Sequence, residues 1–503
     1  MAKTARSGAG MVVAAHPVGA EAGRDALAAG GNAIDAAVAI SLAMGVVEPF
    51  ASGLGGGGHL LVHRAGRTEC LDFRGVTPSL ATPEHFYPKG ATLPWVPKIG
   101  PSSATIPGLG RALGLAMKRF GAKLPLPRLA ERAIAAAEGG FEVSETYAYV
   151  SGLFEGTVRC FPDAARIYFK EGRRYRPGER LVQPELAKAL RRVADKGFED
   201  VYTGEIGRAM KAAINATGPA WGENDLERYE VKVREPLRAR VGAATIETMP
   251  PPSRGGAGIT LALGRMEKKP AAHLSKEAIL FLGETIRSLF HELEPVVGDP
   301  DVIQVDLSKL GPGRVPTGGS PSTTHFTIVD REGTIVTMSQ TIGHFFGSGV
   351  VVPGWGILLN DDISDMERRP GLPNSVRPTM RPVSNMAPTI VHRDGRPWFA
   401  LGTPGSLRIF PCMAQVIANV VLHGMTLERA VAAGRVHWED ETLWLEGDID
   451  PAVRAQVREA WKGKVVERRA QDLFFGGVHA VGREGSEWVG VADPRRDGVA
   501  LGM

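Results

Sequence analysis

Cysteine is scarce in this sequence, with Cys70, Cys160 and Cys412 the three among 503 residues. Three scattered thiols are too few for a disulfide framework or for a thiolate metal site. Such residues usually behave as small buried hydrophobic side chains, so we expect all three in the interior. The composition therefore argues against a disulfide-rich secreted module and against a zinc module.

Long apolar runs are also lacking. No window offers the roughly 18 consecutive apolar residues that a membrane-spanning helix needs. The first apolar run, 11–15, has five residues and stops at His16-Pro17, which is too short for the core of a signal peptide. We therefore expect a cytoplasmic protein with no membrane partner.

Neither sign of charge dominates, because 59 Lys and Arg face 55 Asp and Glu and leave a net charge of +4. The densest basic cluster, 171–180 (EGRRYRPGER), is short and is typical of a solvated loop rather than of a nucleic-acid footprint. What is abundant is glycine, with 63 residues beside 36 prolines and no fixed period. The composition indicates a globular chain with many tight turns, and we expect no nucleic-acid partner.

Cofactor and metal motifs are missing or out of context. The segment 53–58 (GLGGGG) satisfies G-x-G-x-x-G, but a predicted helix precedes it and a predicted strand follows, the reverse of a dinucleotide site. His59 and His63 stand in a predicted strand, where four residues span about 13 Å, too far to share one ion. We therefore expect neither a cofactor nor a metal.

The predicted elements change in character along the chain. Helical spacing dominates from Gly19 to Val47, broken at Gly30-Gly31, and returns over much of 109–196. The stretch 299–322 has no sustained period, is rich in Gly and Pro towards its end, and looks like an exposed linker. Short strands follow it, so a helix-rich first part is predicted to precede a strand-rich last part.

The segment 318–341 (GGSPSTTHFTIVDREGTIVTMSQT) lies at the seam between these parts. If 331–333 (Arg-Glu-Gly) forms a three-residue loop with glycine in the left-handed conformation, Thr323 pairs with Thr341 across a hairpin. The two side chains then share one face of the sheet and touch. This is either an ordinary cross-strand threonine pair or a nucleophile with a hydroxyl partner.

A threonine nucleophile needs a base, and no His/Asp pair is obviously placed to act on Thr323. Cleavage of the chain between Ser322 and Thr323 would supply one. The new α-amine would stay on the nucleophile's own residue, with a pKa of about 7.7 to 8.0 that leaves some free base near neutral pH. An exposed linker upstream would let the cut end move away.

Many motifs occur in order over nearly the whole chain. They include GGNAIDAAVA (30–39), SGLGGGGHLLVH (52–63), LDFRGVTP (71–78), MPPPSRGG (249–256), TTHFTIVDREGTIV (323–336), GILLNDDISDM (356–366), RPVSNMAPTI (381–390), GTPGSLRI (402–409) and GVADPRRDG (490–498). Together they resemble the γ-glutamyltranspeptidase family of N-terminal-nucleophile hydrolases. So many ordered motifs are far more specific than any one of them.

This resemblance implies a four-layer αββα sandwich, made as one inactive precursor that cleaves itself before Thr323. Residues 1–322 would form a large, helix-rich subunit and residues 323–503 a small, strand-rich one. The two would stay associated, and a higher oligomer is left open. Thr323 would attack the carbonyl of a small-molecule amide, form an acyl-enzyme and pass the acyl group to water or an amine. The same hydroxyl would attack the Ser322 carbonyl during cleavage.

The resemblance also implies roles for further residues. Thr341 matches the threonine that hydrogen-bonds the nucleophile, and the backbone N–H groups of Gly405 and Ser406 match an oxyanion hole. The matched substrate-binding positions are Arg74 and Ser384 for an α-carboxylate, Asp365 for an α-amine, and Asp362 and Asn385 beside them.

Several positions depart from the family pattern. Gly343 stands where an asparagine is usual, and Asp362 stands where Gln or Glu is usual. Asn385 replaces the second of two serines, and Ser406 replaces a glycine. The first three touch the expected acyl pocket, so the acyl specificity is open. The stretch 370–385 is also shorter than in many relatives, which predicts a solvent-open site.

Three functions are compatible with these residues. The first is an autoprocessed amidase for γ-glutamyl compounds such as glutathione, since Arg74 and Asp365 suit a zwitterionic acyl group. The second keeps the chemistry but changes the acyl donor, as in glutaryl-type cephalosporin acylases or oxamate-type amidohydrolases, and Gly343 with Asn385 favours it. The third is an unprocessed pseudoenzyme that only binds ligand, which an intact Thr323 argues against.

Overall fold

The computed structural model describes residues 3–86, 98–217, 220–310, 313 and 322–503. Its strands are β1 (Lys3–Ser7), β2 (Met11–Ala14), β3 (Gly57–Arg64), β4 (Arg67–Asp72), β5 (Phe141–Glu142), β6 (Phe169–Lys170), β7 (Arg173–Arg174), β8 (Arg180–Leu181), β9 (Lys232–Arg234), β10 (Leu237–Val241), β11 (Ala244–Thr248), β12 (Thr324–Val329), β13 (Ile335–Thr341), β14 (Val351–Val352), β15 (Ile357–Leu358), β16 (Thr389–Arg393), β17 (Arg396–Gly402), β18 (Val436–Glu439), β19 (Thr442–Glu446), β20 (Lys464–Arg468), β21 (His479–Glu484), β22 (Glu487–Ala492) and β23 (Val499–Gly502).

Its α-helices are α1 (Pro17–Ala28), α2 (Ala33–Val47), α3 (Pro83–Phe86), α4 (Leu109–Phe120), α5 (Leu126–Gly139), α6 (Glu145–Leu153), α7 (Glu155–Arg159), α8 (Pro162–Tyr168), α9 (Pro184–Lys196), α10 (Glu205–Asn215), α11 (Arg254–Lys268), α12 (Lys276–Leu293), α13 (Ile409–Val421), α14 (Leu427–Ala432) and α15 (Pro451–Ala460). Short 3-10 turns lie at Pro101–Ser103, Phe198–Val201, Asp362–Asp365, Ser406–Arg408 and Leu473–Phe475. None of the described helices is long and apolar enough to cross a membrane.

Two seven-stranded antiparallel sheets form the centre of the molecule. One has the strand order β1-β22-β21-β17-β16-β11-β10, and the other has the order β23-β2-β12-β13-β3-β4-β9. Apolar side chains such as Met11, Leu61, Ile390 and Val481 pack between the sheets. Helices α1 and α2 cover the outer face of one sheet, and α11, α12 and α13 cover the other. The predicted αββα sandwich is therefore confirmed.

Both sheets draw strands from each side of the bond between residues 322 and 323. Among the described residues, twelve α-helices and eleven strands precede that bond, whereas three α-helices and twelve strands follow it. The short apolar run near the N-terminus is β2, fully buried and paired with both β12 and β23. Its four residues gave no alternating pattern because a central strand is covered on both faces.

The hairpin of β12 and β13 has the predicted register, with Thr324 opposite Gln340 and His325 opposite Ser339. Gly333 closes the loop at φ +80°, in the left-handed region where glycine has no Cβ to clash. Extending this register by one residue brings Thr323 opposite Thr341, as predicted.

Side chains of β12 alternate between the two faces of the sheet, as the period of a strand requires. Phe326 and Ile328 join the core beneath the helices. On the other face, the His325 imidazole lies 2.8 Å from the Ser339 hydroxyl, and Thr327 Oγ1 donates to the carbonyl of His479 in the opposite sheet at 3.0 Å. Polar contacts as well as apolar packing thus hold the sheets together.

Helices α1 and α2 form the predicted pair. Asn32 caps α2, accepting from the N–H groups of Ile34 and Asp35 at 2.9 and 3.2 Å, while Asp35 accepts from the N–H of Asn32. This reciprocal capping fixes where α2 begins. A Cβ on Gly23 would lie 2.6 Å from Ile40, so only small residues permit this close packing.

One sequence expectation is corrected here. Cys160 is exposed, whereas Cys70 and Cys412 are buried as expected. The expected linker begins at an anchored residue, since buried Asp299 accepts from the N–H of Arg381 at 2.7 Å, and residues 300–310 are exposed or half-buried as expected. The Gly- and Pro-rich end of the linker, 311–321, lies outside the described residues apart from residue 313.

Candidate active site

Two threonine hydroxyls converge on one backbone carbonyl. Thr323 Oγ1 and Thr341 Oγ1 each donate to the Ser322 carbonyl oxygen, both at 2.5 Å. The three residues are buried, with Thr323 and Thr341 only 3% and 2% exposed. In the intact chain the threonine pair is therefore closed from solvent.

The Ser322 side of this bond is held in place by the segment after β13. Its hydroxyl donates to the carbonyl of Gly343 at 2.7 Å, and its N–H donates to the same carbonyl at 3.3 Å. Thr341 Oγ1 in turn accepts from the N–H of Gly343 at 3.0 Å. The hydroxyl that donates to the Ser322 carbonyl is therefore itself oriented by the backbone, which is the arrangement that polarises a carbonyl.

Gly343 has a steric reason to lack a side chain. Its φ is +96°, and a Cβ there would lie 1.9 Å from Asp361 Oδ1. Asp361 uses that oxygen to accept from the N–H of His344 at 2.7 Å. An asparagine at 343 would collide with a buried carboxylate, so this departure from the family pattern is built into the surrounding packing.

His344 and Asp361 form a pair that sequence reasoning missed. The imidazole Nδ1 lies 2.7 Å from Asp361 Oδ2 and 3.0 Å from the hydroxyl of Ser364. Burial lowers the pKa of His344, but the Asp361 charge outweighs it and raises the pKa to about 9. A protonated imidazole is a donor rather than a base, so its electrostatic role is to balance a fully buried carboxylate. The two residues are 17 positions apart in the chain, so no local sequence pattern indicated that they would pair.

Arg74 is bonded to both of the aspartates expected near it. Its Nη1 donates to Asp362 Oδ1 at 2.7 Å, and its Nη2 donates to Asp365 Oδ2. Arg74 and Asp362 are 1% and 0% exposed. The structure thus brings together the three charged residues named from the sequence, but it pairs them with one another.

Asp362 is the unusual member of this group. Burial raises its pKa to about 7 even though the Arg74 cation lowers it, and the nearby Asp365 and Asp361 charges raise it further. Its second oxygen, Oδ2, is buried without a hydrogen-bond partner among the described residues. Such an atom is costly unless something else satisfies it, which is common where a ligand binds.

Ser384 and Asn385 lie beside the first turn of α11. Ser384 forms an isolated β-bridge with Ser253. The carbonyl of Ser384 accepts from the N–H of Arg254 at 2.7 Å, and the N–H of Ser384 donates to the carbonyl of Pro252 at 3.0 Å. Asn385 Oδ1 is buried and has no hydrogen-bond partner among the described residues. The two predicted pocket residues are therefore fixed through backbone contacts to 252–254.

Gly405 and Ser406 follow β17, the strand that packs across from β12 and β13. Gly405 has φ +140° and Ser406 has φ +58°, so a serine occupies the left-handed conformation that glycine usually fills. The turn accommodates the Cβ, as the oxyanion-hole expectation required. Within the described part of the chain, the Gly405 N–H has no hydrogen-bond acceptor, which leaves it available to a ligand.

One cluster outside this site has metal-ligand chemistry. His63, Glu247 and His392 offer ligand atoms that all lie within 4.8 Å of one another, from strands of both sheets. The separation of His59 from His63 had suggested no such cluster, because sequence spacing cannot show ligands from different strands. Thr68 and Arg238 hydrogen-bond the Glu247 carboxylate, so hydrogen bonds and an ion pair already satisfy it.

Comparison with known proteins decides the family. A family model described as Gamma-glutamyltranspeptidase matches residues 19–503. This chain belongs to the γ-glutamyltranspeptidase family. It is therefore an enzyme of the N-terminal-nucleophile hydrolase and transferase type, as the sequence motifs had implied.

Relatives of this γ-glutamyltranspeptidase family member include glutathione hydrolases and acylases. The glutathione hydrolase proenzyme of Pseudomonas aeruginosa is 34% identical over 98% of this chain and 94% of the relative. The acylase ACY 1 proenzyme of Pseudomonas sp. (strain SE83) is 34% identical over 95% of this chain and 90% of the relative. A crystal structure of cephalosporin acylase from Bacillus halodurans matches with a TM-score of 0.90 at 25% identity, covering 99% of this chain and 97% of that one.

Proposed function

We propose that this chain is a proenzyme that cuts itself between Ser322 and Thr323 and then hydrolyses γ-glutamyl amides, with glutathione-like compounds as substrates. Residues 1–322 and 323–503 are its large and small subunits. The observation that carries the proposal is the pair of threonine hydroxyls on the Ser322 carbonyl oxygen. The proenzyme names of relatives at 34% identity support it.

Self-cleavage uses groups already in place. Thr323 Oγ1 attacks the Ser322 carbonyl carbon while Thr341 stabilises the developing oxyanion. The bond between that carbon and the Thr323 nitrogen breaks, the nitrogen takes up the hydroxyl proton, and an ester joins Ser322 to Thr323 Oγ1. Water hydrolyses the ester and leaves a carboxylate on Ser322, a free hydroxyl and a free α-amine on Thr323.

The same hydroxyl then serves the substrate. The α-amine of Thr323, with a pKa of about 7.7 to 8.0, takes the Oγ1 proton as Oγ1 attacks the substrate amide and gives it to the leaving amine. The N–H groups of Gly405 and Ser406 bind the oxyanion, and Thr341 orients the nucleophile. Water or an acceptor amine releases the acyl group. In this proposal Asp365 receives the α-amine, and Ser384, with Asn385 beside it, helps to hold the α-carboxylate.

Intact-mass measurement tests the proposal. Wild type should resolve into two chains with the break before residue 323, and Thr323→Ala should stay whole and inactive. Thr324→Ala is the matched control, because this neighbouring buried hydroxyl lies on the other face of the strand, so the variant should still cleave. A Thr323→Ala chain that splits at the same bond would assign the cut to an outside protease.

A second candidate keeps the chemistry and changes the donor to a glutaryl-type acyl group. Arg74 already holds two carboxylates, and Gly343 and Asn385 differ from the γ-glutamyl pattern. Comparing the γ-glutamyl anilide with the glutaryl anilide, which lacks the α-amine, separates the two. A rate preference of tenfold or more for the γ-glutamyl compound supports the first candidate, and equal rates support the second.

A further inference from the structure

We propose that Arg254, whose backbone contacts Ser384, is a carboxylate receptor of the acyl pocket and that its guanidinium binds the terminal carboxylate of the acyl donor. This inference rests on the proposed amidase function and names the substrate class more closely: acyl groups that carry a carboxylate at the end remote from the scissile amide.

Arg254 lies beside the pocket residues expected from the sequence. It opens α11, its N–H donates to the carbonyl of Ser384 at 2.7 Å, and its neighbour Ser253 forms a bridge with Ser384. A Cβ on the next residue, Gly255, would lie 2.0 Å from the carbonyl of Asn385. Backbone contacts on both sides therefore fix Arg254 against 384–385.

In the described part of the chain, the Arg254 guanidinium has no counter-ion. Arg254 is 5% exposed, and its Nε is buried with no hydrogen-bond partner among those residues. Of the carboxylates in the described residues, none lies within ion-pair distance of it. An arginine that is almost fully buried without a partner is rare, because a buried charge costs several kcal/mol unless something compensates it. A ligand carboxylate would supply that compensation with two parallel hydrogen bonds.

The acidic residues whose charge reaches Arg254 are already bonded to other arginines. Asp365 accepts from Arg74, and Glu294 and Glu367 both accept from Arg369 at distances of 2.6 and 3.0 Å. Burial lowers the pKa of Arg254, and the charges of these three carboxylates raise it; burial is the larger effect, so the pKa falls to about 10. The side chain is therefore a cation at neutral pH, within the electrostatic reach of Asp365 in the active site.

Arg74 is less suited to this task in this chain. Its two terminal nitrogens donate to Asp362 and Asp365, so a substrate carboxylate would have to displace one aspartate or approach a group with excess negative charge. Arg254 presents a positive charge with no such competitor. The substrate carboxylate would thus be bound by Arg254 at the start of α11 rather than by Arg74 after β4.

Three acyl anilides test the assignment on the processed enzyme: the glutaryl compound, the γ-glutamyl compound, and the 4-carbamoylbutyryl compound, a neutral isostere of the first. In Arg254→Gln, kcat/KM for both carboxylated donors should fall at least tenfold, mainly through KM. For the neutral isostere it should change less than threefold. Arg254→Lys should recover part of the loss, because it restores the charge without the fork.

Arg265→Gln is the matched control, since it removes the same charge from the same helix about 16 Å further along. It should leave the preference for carboxylated donors unchanged. Inhibition by glutarate gives a second readout, and its inhibition constant should rise at least tenfold in Arg254→Gln. An Arg254→Gln enzyme that is processed normally and keeps its preference for the glutaryl compound over its isostere would overturn the inference.

Failure of the proposed function gives a different result. A wild-type chain that neither cleaves nor hydrolyses any anilide would sink that function, whereas glutarate binding by calorimetry still tests Arg254. Binding that is lost in Arg254→Gln and kept in Arg265→Gln would support the anion site alone. Equal glutarate binding by all three proteins would overturn it.

Discussion

Ser406 is held in a backbone conformation that glycine adopts freely and most other residues avoid. Its φ of +58° costs an ordinary L-residue roughly 1 kcal/mol or more, and its hydroxyl is buried without a partner in the described structure. The chain keeps this strain in the loop where the oxyanion hole is expected. Strained residues of this kind often occur at functional sites.

Replacing Ser406 with glycine should therefore stabilise the protein. We expect Ser406→Gly to raise the free energy of unfolding by about 0.5 to 1 kcal/mol, since the strain goes but glycine adds entropy to the unfolded chain. Activity should persist because the backbone N–H stays. Urea denaturation measures the first effect, and Ser406→Ala, which keeps the Cβ, isolates the contribution of the hydroxyl. A less stable glycine variant would contradict the strain argument.

His344 should make stability depend on pH in the alkaline range. Its folded pKa is raised to about 9 from an ordinary value of 6.5, so the folded state binds a proton that the unfolded state has lost. The resulting stabilisation is complete below pH 6.5 and disappears as the pH rises through 9. We expect the wild type to lose on the order of 2 kcal/mol over this interval.

Urea denaturation at several pH values in this interval checks the expectation. His344→Gln should flatten the dependence, while His423→Gln, which changes an exposed imidazole, should leave it as in the wild type. Identical slopes in His344→Gln and wild type would show that Asp361 does not hold a proton on this imidazole.

At the scale of elements, the β12–β13 hairpin places the two threonines. Its register follows from a three-residue loop that ends at Gly333, and every ladder pair from 324 with 340 to 329 with 335 agrees with it. One residue of slippage would send Thr341 to the opposite face of the sheet. The turn thus sets which residues of the hairpin face each other, and hydrogen bonds to Gly343 complete the geometry at the Ser322 carbonyl.

Thr341→Ala should slow self-cleavage by roughly tenfold or more, because it removes one of two hydroxyl donors to the Ser322 carbonyl. Thr341→Ser keeps the hydroxyl and should cleave at nearly the wild-type rate. A time course by denaturing gel or intact mass measures both. Cleavage by Thr341→Ala as fast as by Thr341→Ser would remove Thr341 from the processing step.

At the scale of the whole molecule, the two proposed subunits are interleaved. Strands β2, β3, β4 and β9 share one sheet with β12, β13 and β23, and strands from both parts also share the other sheet. Separating the subunits would break ladders in both sheets and expose the core between them. Their association therefore has the character of a folded core rather than of a docked interface.

After cleavage the subunits should co-elute in native size exclusion and unfold in one cooperative transition. The single-chain Thr323→Ala variant is the control, and it should elute at the same volume while giving one band instead of two on a denaturing gel. Release of the 323–503 piece without denaturant would contradict this arrangement.

Much of the fold and part of the site could be predicted from local sequence. The pair α1 and α2 and the hairpin register depend on caps, turns and periodicity within a few tens of residues. The alignment of Arg74 with Asp362, 288 residues apart, could be named only through family motifs. Only the folded structure shows that the two side chains bond each other and are not both free to bind a substrate.

Sequence alone thus determined the identity of the threonine pair, the register that joins them and the family to which they belong, because each is written in contiguous motifs. The tertiary structure decided which charges are compensated. Both terminal nitrogens of Arg74 are bonded to aspartates, Arg254 has no carboxylate partner among the described residues, and the missing side chain of Gly343 leaves room for Asp361. Whether a charge is compensated depends on its distance from residues that are remote in the chain and on how much water is removed from around it. Both are fixed only when the two sheets have packed together in the folded protein.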